Sequence, residues 1–148
     1  MGSLPQQVIG TGVTGATAAG TAMAVVAAPY DSSQFQEPGN NIPALITFPA
    51  TVGKRWIISA LSAGYFAGTG GVVVSSFVRP VLVDVATGVT KWGFVLTVPA
   101  LVAGANASQY YPISGLSIAG SLGGAVTFSC PAMGAAIFIQ LSASAYQV

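Results

Sequence analysis

The chain has 148 residues, of which four are basic and three acidic, with a formal net charge of +1, a single cysteine and no histidine. Charged residues make up 5% of it, against roughly 25% in a soluble globular protein. This inventory excludes Ser-His-Asp and Cys-His catalysis, imidazole or thiolate metal centres and an intrachain disulfide, and it gives no electrostatic footprint for nucleic acid or an anionic membrane.

The length suits about one domain with a substantial core. Hydrophobic residues reach 53%, drawn mostly from Ala and Val mixed with Gly, Ser and Thr. No apolar run approaches the roughly 20 residues of a spanning helix before Gly, Pro, Ser or Thr cuts it, the nearest being residues 12–29. No basic residue precedes Lys54, so a secretory n-region is not expected. Some segments alternate as outer-membrane strands do, but the charged loops and polar lumen of such barrels are not evident.

Residues 1–41 stand apart from the rest. Within V8-I-G-T-G-V-T-G-A-T-A-A-G20, Gly10, Gly12 and Gly15 spell G-x-G-x-x-G. A dinucleotide cradle needs a buried strand before these glycines, a helix after them and an acidic residue about 20 positions on. Only Val8-Ile9 leads in, the following helix would have to be built from Ala, Thr and Gly, and Asp31 lies past Pro29 in an expected loop. No cofactor is therefore expected. The stretch A18-A-G-T-A-M-A-V-V-A-A28 supports at most a short helix, and P29-Y-D-S-S-Q-F-Q-E-P-G-N-N41 is polar and punctuated by Pro and Gly. Residues 1–41 read as an extended N-terminal arm and linker, and 42–148 as a β domain.

From Ile42 the pattern is that of strands. P43-A-L-I-T-F-P49 is a short proline-bounded strand, W56-I-I-S-A-L-S-A-G-Y-F66 a long one, and V72-V-V-S-S-F-V78 follows a T69-G-G71 turn. Pro80 separates V81-L-V-D-V85. With T87-G88 as central turn residues, a two-residue hairpin pairs Ala86 with Val89, Val85 with Thr90, Asp84 with Lys91 and Val83 with Trp92, placing Asp84 and Lys91 together on a solvated face. K91-W-G-F-V-L-T-V98 reads as one strand.

The stretch 99–112 reads as a loop presenting Tyr110 and Tyr111, whose apolar bodies and polar tips suit an interface. Asn106-Ala-Ser108 is formally a glycosylation sequon, without a secretory context to give it meaning. Strands follow at I113-S-G-L-S-I118 and A125-V-T-F-S-C130, with Cys130 read as a small buried hydrophobe. In A136-I-F-I-Q-L-S-A-S-A-Y146 the odd positions form an apolar face and the even ones a mixed face, the cleanest period-2 signal in the chain. Seven or eight strands without a credible helix imply an antiparallel β-sandwich, jelly-roll-like, with an extended N-terminal arm.

Strand faces so poor in charge have little to oppose association, and an arm without a core gains order on another subunit. The arm residues Val8, Ile9, Val13, Met23, Val25 and Val26, with Tyr110 and Tyr111, are the expected partner contacts. The layout of G53-K-R-W-I-I-S-A-L-S-A-G-Y65, T69-G-G-V-V-V-S75, R79-P-V-L-V-D-V85, K91-W-G-F-V-L-T-V98 and A136-I-F-I-Q-L-S-A-S-A-Y146 resembles the small β-sandwich virion proteins of tailed bacteriophages, over roughly residues 43–148. That resemblance implies a non-enzymatic structural protein located on the virion, in the first instance at the capsid surface. It would be a cement or decoration protein bound to the major capsid protein or to other virion proteins, acting as a homo-oligomer, a dimer or trimer. The alternative is a tail or head-fibre component that contacts the host surface or neighbouring tail proteins, with Tyr110, Tyr111 and Trp92 the place to look for carbohydrate.

Overall fold

In the computed structural model, which describes residues 31–68 and 70–148, the chain is all-β, its strands pair antiparallel, and the described residues contain no helix. The strands are β1 (Asp31–Gln36), β2 (Ala44–Phe48), β3 (Trp56–Gly68), β4 (Ser76–Val78), β5 (Val81–Asp84), β6 (Val89–Gly93), β7 (Leu96–Val98), β8 (Asn106–Ala119), β9 (Val126–Cys130) and β10 (Ile137–Gln147).

Their pairing is nested. β1 pairs with β10, β2 with β9, β3 with β8, β4 with β7 and β5 with β6, so this part of the chain is one long hairpin whose apex is the turn at 85–88. Two further ladders, β10 with β3 and β5 with β9, fold that ribbon back on itself. They generate two four-stranded sheets, ordered β1-β10-β3-β8 and β2-β9-β5-β6, with β4-β7 as a separate two-stranded ribbon.

One core joins all three. Ile58, Leu61, Ile139 and Leu141 come from the first sheet, Ile46, Phe48, Leu82 and Phe128 from the second, and Leu96 and Val98 from β7, all fully buried. Each such side chain contributes roughly 1.5–3 kcal/mol through its removal from water. β10 shows how directly alternation sets this arrangement: Ile137, Ile139, Leu141, Ala143 and Ala145 are buried, while the intervening residues are only half covered. Its other face carries hydroxyl pairs, Ser142 with Ser62 at 2.6 Å and Ser144 with Ser33 at 2.9 Å. Trp56 packs on Phe48 with ring centroids 5.1 Å apart and donates its indole N–H to the Pro49 carbonyl at 2.8 Å, which satisfies the polar end of a buried aromatic.

Several expected boundaries move. Asp31–Gln36, placed within the linker, forms β1 along the edge of β10. Its sequence, DSSQFQ, has no apolar period, so the unpaired edge of β10 supplies what the local pattern lacks. The expected strand 91–98 is two strands, because β6 and β7 pair with different partners, β5 and β4. The expected loop 99–112 ends early: β8 begins at Asn106 and runs for 14 residues. Pro112 is accommodated within β8, opposite Ser62, because β8 is an edge strand and a proline there sacrifices no central ladder.

The hairpin register also differs. Asp84 lies opposite Val89 and Val83 opposite Thr90, and the register shifts between Leu82 and Val83 so that Lys91 has no direct partner. The turn is four residues wide, closed by the Gly88 N–H to the Asp84 carbonyl at 2.8 Å. Gly88 has φ 71°, a conformation glycine adopts without Cβ strain. Thr-Gly lacks the paired left-handed preference of a two-residue type I′ turn, and the wider turn with its bulge replaces it.

Candidate interaction surface

Tyr110 and Tyr111 lie on β8, where alternation sends them to opposite faces. Tyr110 is 61% exposed and sits opposite Gly64, with its ring over the glycine: a Cβ added there would come within 3.2 Å of Tyr110 Cδ1. Tyr111, 41% exposed, meets Phe94 edge-on at 5.6 Å, and Phe94 in turn packs against Trp92 at 4.9 Å. Tyr111, Phe94 and Trp92 therefore form one aromatic row, to which Tyr110 does not belong. Beneath it, Tyr65 donates its hydroxyl to the Thr97 carbonyl at 2.8 Å, tying β3 to β7. Burial, and secondarily the neighbouring Tyr111, raise the Tyr65 phenol above its ordinary value. Val8, Ile9, Val13, Met23, Val25 and Val26, and the G-x-G-x-x-G glycines, lie outside the described residues.

Asp84 is not on a solvated face. It shares the inward face of β5 with Leu82 and is 1% exposed. Its Oδ2 accepts from Ser121 Oγ at 2.7 Å and faces Lys91 Nζ at 3.9 Å, while Oδ1 has no hydrogen-bond partner among the described residues. The expected ion pair thus exists, but the β-bulge and the buried face create it rather than a direct cross-strand position. Ser121 is thus its hydrogen-bond donor and Lys91 the charge beside it.

Cys130 is buried on β9 opposite Ala44, and loss of solvation pushes its thiol up to about 12. A thiol so protonated is neither a nucleophile nor a ready metal ligand. Among the described residues no three His, Cys, Asp or Glu side chains converge as a metal site would require, and no helix is long and apolar enough to cross a membrane.

The described surface carries many large apolar side chains. Phe35, Leu45, Val72, Val74, Phe77, Val102 and Leu122 are all more than half exposed, in a chain with only four basic and three acidic residues. Sequence reading missed Val72, Val74 and Phe77 as surface residues because V72-V-V-S-S-F-V78 is apolar on both alternating faces. Only the pairing partner determines which side meets the core. No protein-family model matches the chain, and a search of curated proteins gives no significant match.

Proposed function

We propose that this protein is a structural component of a phage virion: a cement protein bound to the major capsid protein lattice, built as a jelly-roll β-sandwich with an extended N-terminal arm. The observation that carries the reading is the abundance of exposed apolar side chains, on the strands and on the segments between them, in a chain with only seven charged residues. Monomers keep such patches small and charged residues between them; a subunit whose neighbours cover it does not need to. The strand order supports the architectural part. A nested ribbon that pairs into sheets β1-β10-β3-β8 and β2-β9-β5-β6 is in keeping with the wrapping of a jelly roll, an arrangement of viral capsid proteins that lectins and cupins also use. Since fold does not determine function, the uncharged apolar surface, rather than the topology, supports the virion reading.

The mechanism is contact area. A standard interface buries around 1,600 Å² in total, and several per protomer repeated over a lattice hold the shell against pressure from within. Apolar contact needs no catalytic group, in keeping with a non-enzymatic role. The aromatic row Trp92–Phe94–Tyr111 favours a second reading, a tail or head-fibre component whose rings stack on host-surface sugars. Quantitative mass spectrometry of intact and tail-stripped virions distinguishes the two. A copy number near that of the major capsid protein, retained after tail removal, is the expected result. Loss with the tails selects the second reading, and absence from particles refutes both.

A further inference from the structure

Among the described residues, the outward side of the β4–β7 ribbon is left exposed. The ladder pairs Ser76 with Val98, Phe77 with Thr97 and Val78 with Leu96. The same register continues through the Val73–Leu101 bridge, where Val73 N–H meets the Leu101 carbonyl at 2.9 Å and Leu101 N–H meets the Val73 carbonyl at 2.8 Å. One residue further on, it sets Val72 opposite Val102. Val73, Leu96 and Val98 are buried, and the residues between them face away from the core: Val72 is 74% exposed, Val74 77%, Phe77 71% and Val102 72%, with Val95 half exposed. Two successive exposed residues, Val74 and Ser75, carry the outward face from even to odd positions. In both segments, 72–79 and 95–102, the single charge is Arg79 at one end.

We propose that this ribbon is the self-association face of the protein, covered by the same ribbon of a second copy. The inference deepens the reading of the chain as an assembling structural protein, and rests on it for the expectation that the face is covered at all. Five side chains exposed to this degree present on the order of 500 Å², as large as the largest apolar patch of a typical monomer. Doubled across a two-fold axis they bury about 1,000 Å² before their neighbours are counted, which meets the minimum for a biological interface. The stripe has no charge to select an oppositely charged partner, so its complement is another uncharged apolar stripe, and a second copy supplies one. An antiparallel two-fold arrangement also places the two Arg79 guanidiniums at opposite ends, where they do not repel.

The test uses the full chain. Sedimentation equilibrium should find a dimer or larger oligomer of the wild type at micromolar concentration. Phe77→Lys would bury an unpaired ammonium from each copy and should raise the dissociation constant at least about a hundredfold. Val52→Lys, at a position 97% exposed away from the ribbon, should leave it unchanged. An unaltered circular dichroism spectrum in Phe77→Lys confirms that folding is intact. Independently, a benzophenone amino acid at position 77 should crosslink to residues 72–79 or 95–102 of a second copy. A monomer at about 100 µM, undiminished association of Phe77→Lys, or a crosslink only to residues 1–30 or to a different protein overturns the proposal. An intact dimer missing from virions would defeat the cement reading alone, whereas a strict monomer present on capsids at high copy would defeat this one alone.

Discussion

Alanine at Asp84, Ser121 and Lys91, singly and in pairs, separates the two interactions of a carboxylate that the sequence places on a solvated hairpin and the fold buries. The Ser121 bond is short, 2.7 Å, and charge-assisted, so it contributes about 1.5–3 kcal/mol. The Lys91 pair has a bare attraction near 4 kcal/mol at 4 Å for an effective dielectric of 20. However, Nζ stands 3.9 Å away and the lysine side chain is 33% exposed, so solvent screening and side-chain entropy reduce the pair to roughly 0.5–1 kcal/mol. Ser121→Ala also removes the one hydrogen bond that the described residues give a carboxylate whose Oδ1 has no partner among them, and it should destabilise by about 2–3 kcal/mol. Lys91→Ala should cost about 0.5 kcal/mol, because its carboxylate partner keeps the serine. Urea unfolding at pH 7, followed through Trp56 and Trp92 fluorescence, gives both coupling energies from double-mutant cycles. A Lys91–Asp84 coupling equal to or larger than the Ser121–Asp84 coupling would refute the assignment of the serine as the principal partner.

Other consequences follow from the same geometry. Burial holds the Cys130 thiol near 12 against an ordinary 9.0, so the unfolded chain ionises there first. Stability is fully present below about pH 9 and declines as pH rises toward 12, and Cys130→Ala should flatten that alkaline limb in a pH series of thermal melts. Native protein at pH 7 should also resist iodoacetamide until urea unfolds it. Gly64→Ala should destabilise by about 2 kcal/mol or more, since its Cβ would stand 2.5 Å from the Gln109 carbonyl oxygen in the β3–β8 ladder; a melting temperature within a degree of wild type would contradict this. Gly88→Ala, forced to φ 71° at the hairpin apex, should cost about 1–2 kcal/mol. In stopped-flow experiments that loss should appear mainly as slower folding, because the apex is the one pairing that closes a short loop. A loss confined to the unfolding rate would count against nucleation there.

The strand cores could be read locally where one face is buried and the other is not. Ile137–Gln147 declares itself by strict alternation, and the short strand at Ala44–Phe48 by its flanking prolines. Where both faces are apolar, as in V72-V-V-S-S-F-V78, or neither is, as in D31-S-S-Q-F-Q36, alternation contains no signal, and a distant partner settles the outcome. Tyr110 and Tyr111 could be named as surface aromatics but not oriented, since a residue taken for loop has no assigned face. Phe94, which joins Tyr111 to Trp92, is an unremarked position within a hydrophobic run, and nothing local distinguishes it.

By itself the sequence determined the all-β character and the absence of histidine or clustered cysteine chemistry. These follow from residue type and period, which act over a few positions along the chain. Only the tertiary structure decided that Asp84 is buried, that residues 31–36 complete a sheet, and that Val72, Val74 and Phe77 face outward. Each of these depends on a partner tens of residues away in the nested ribbon. A register change of one residue reverses every side chain along a strand, so exposure in this protein is a property of pairing rather than of composition.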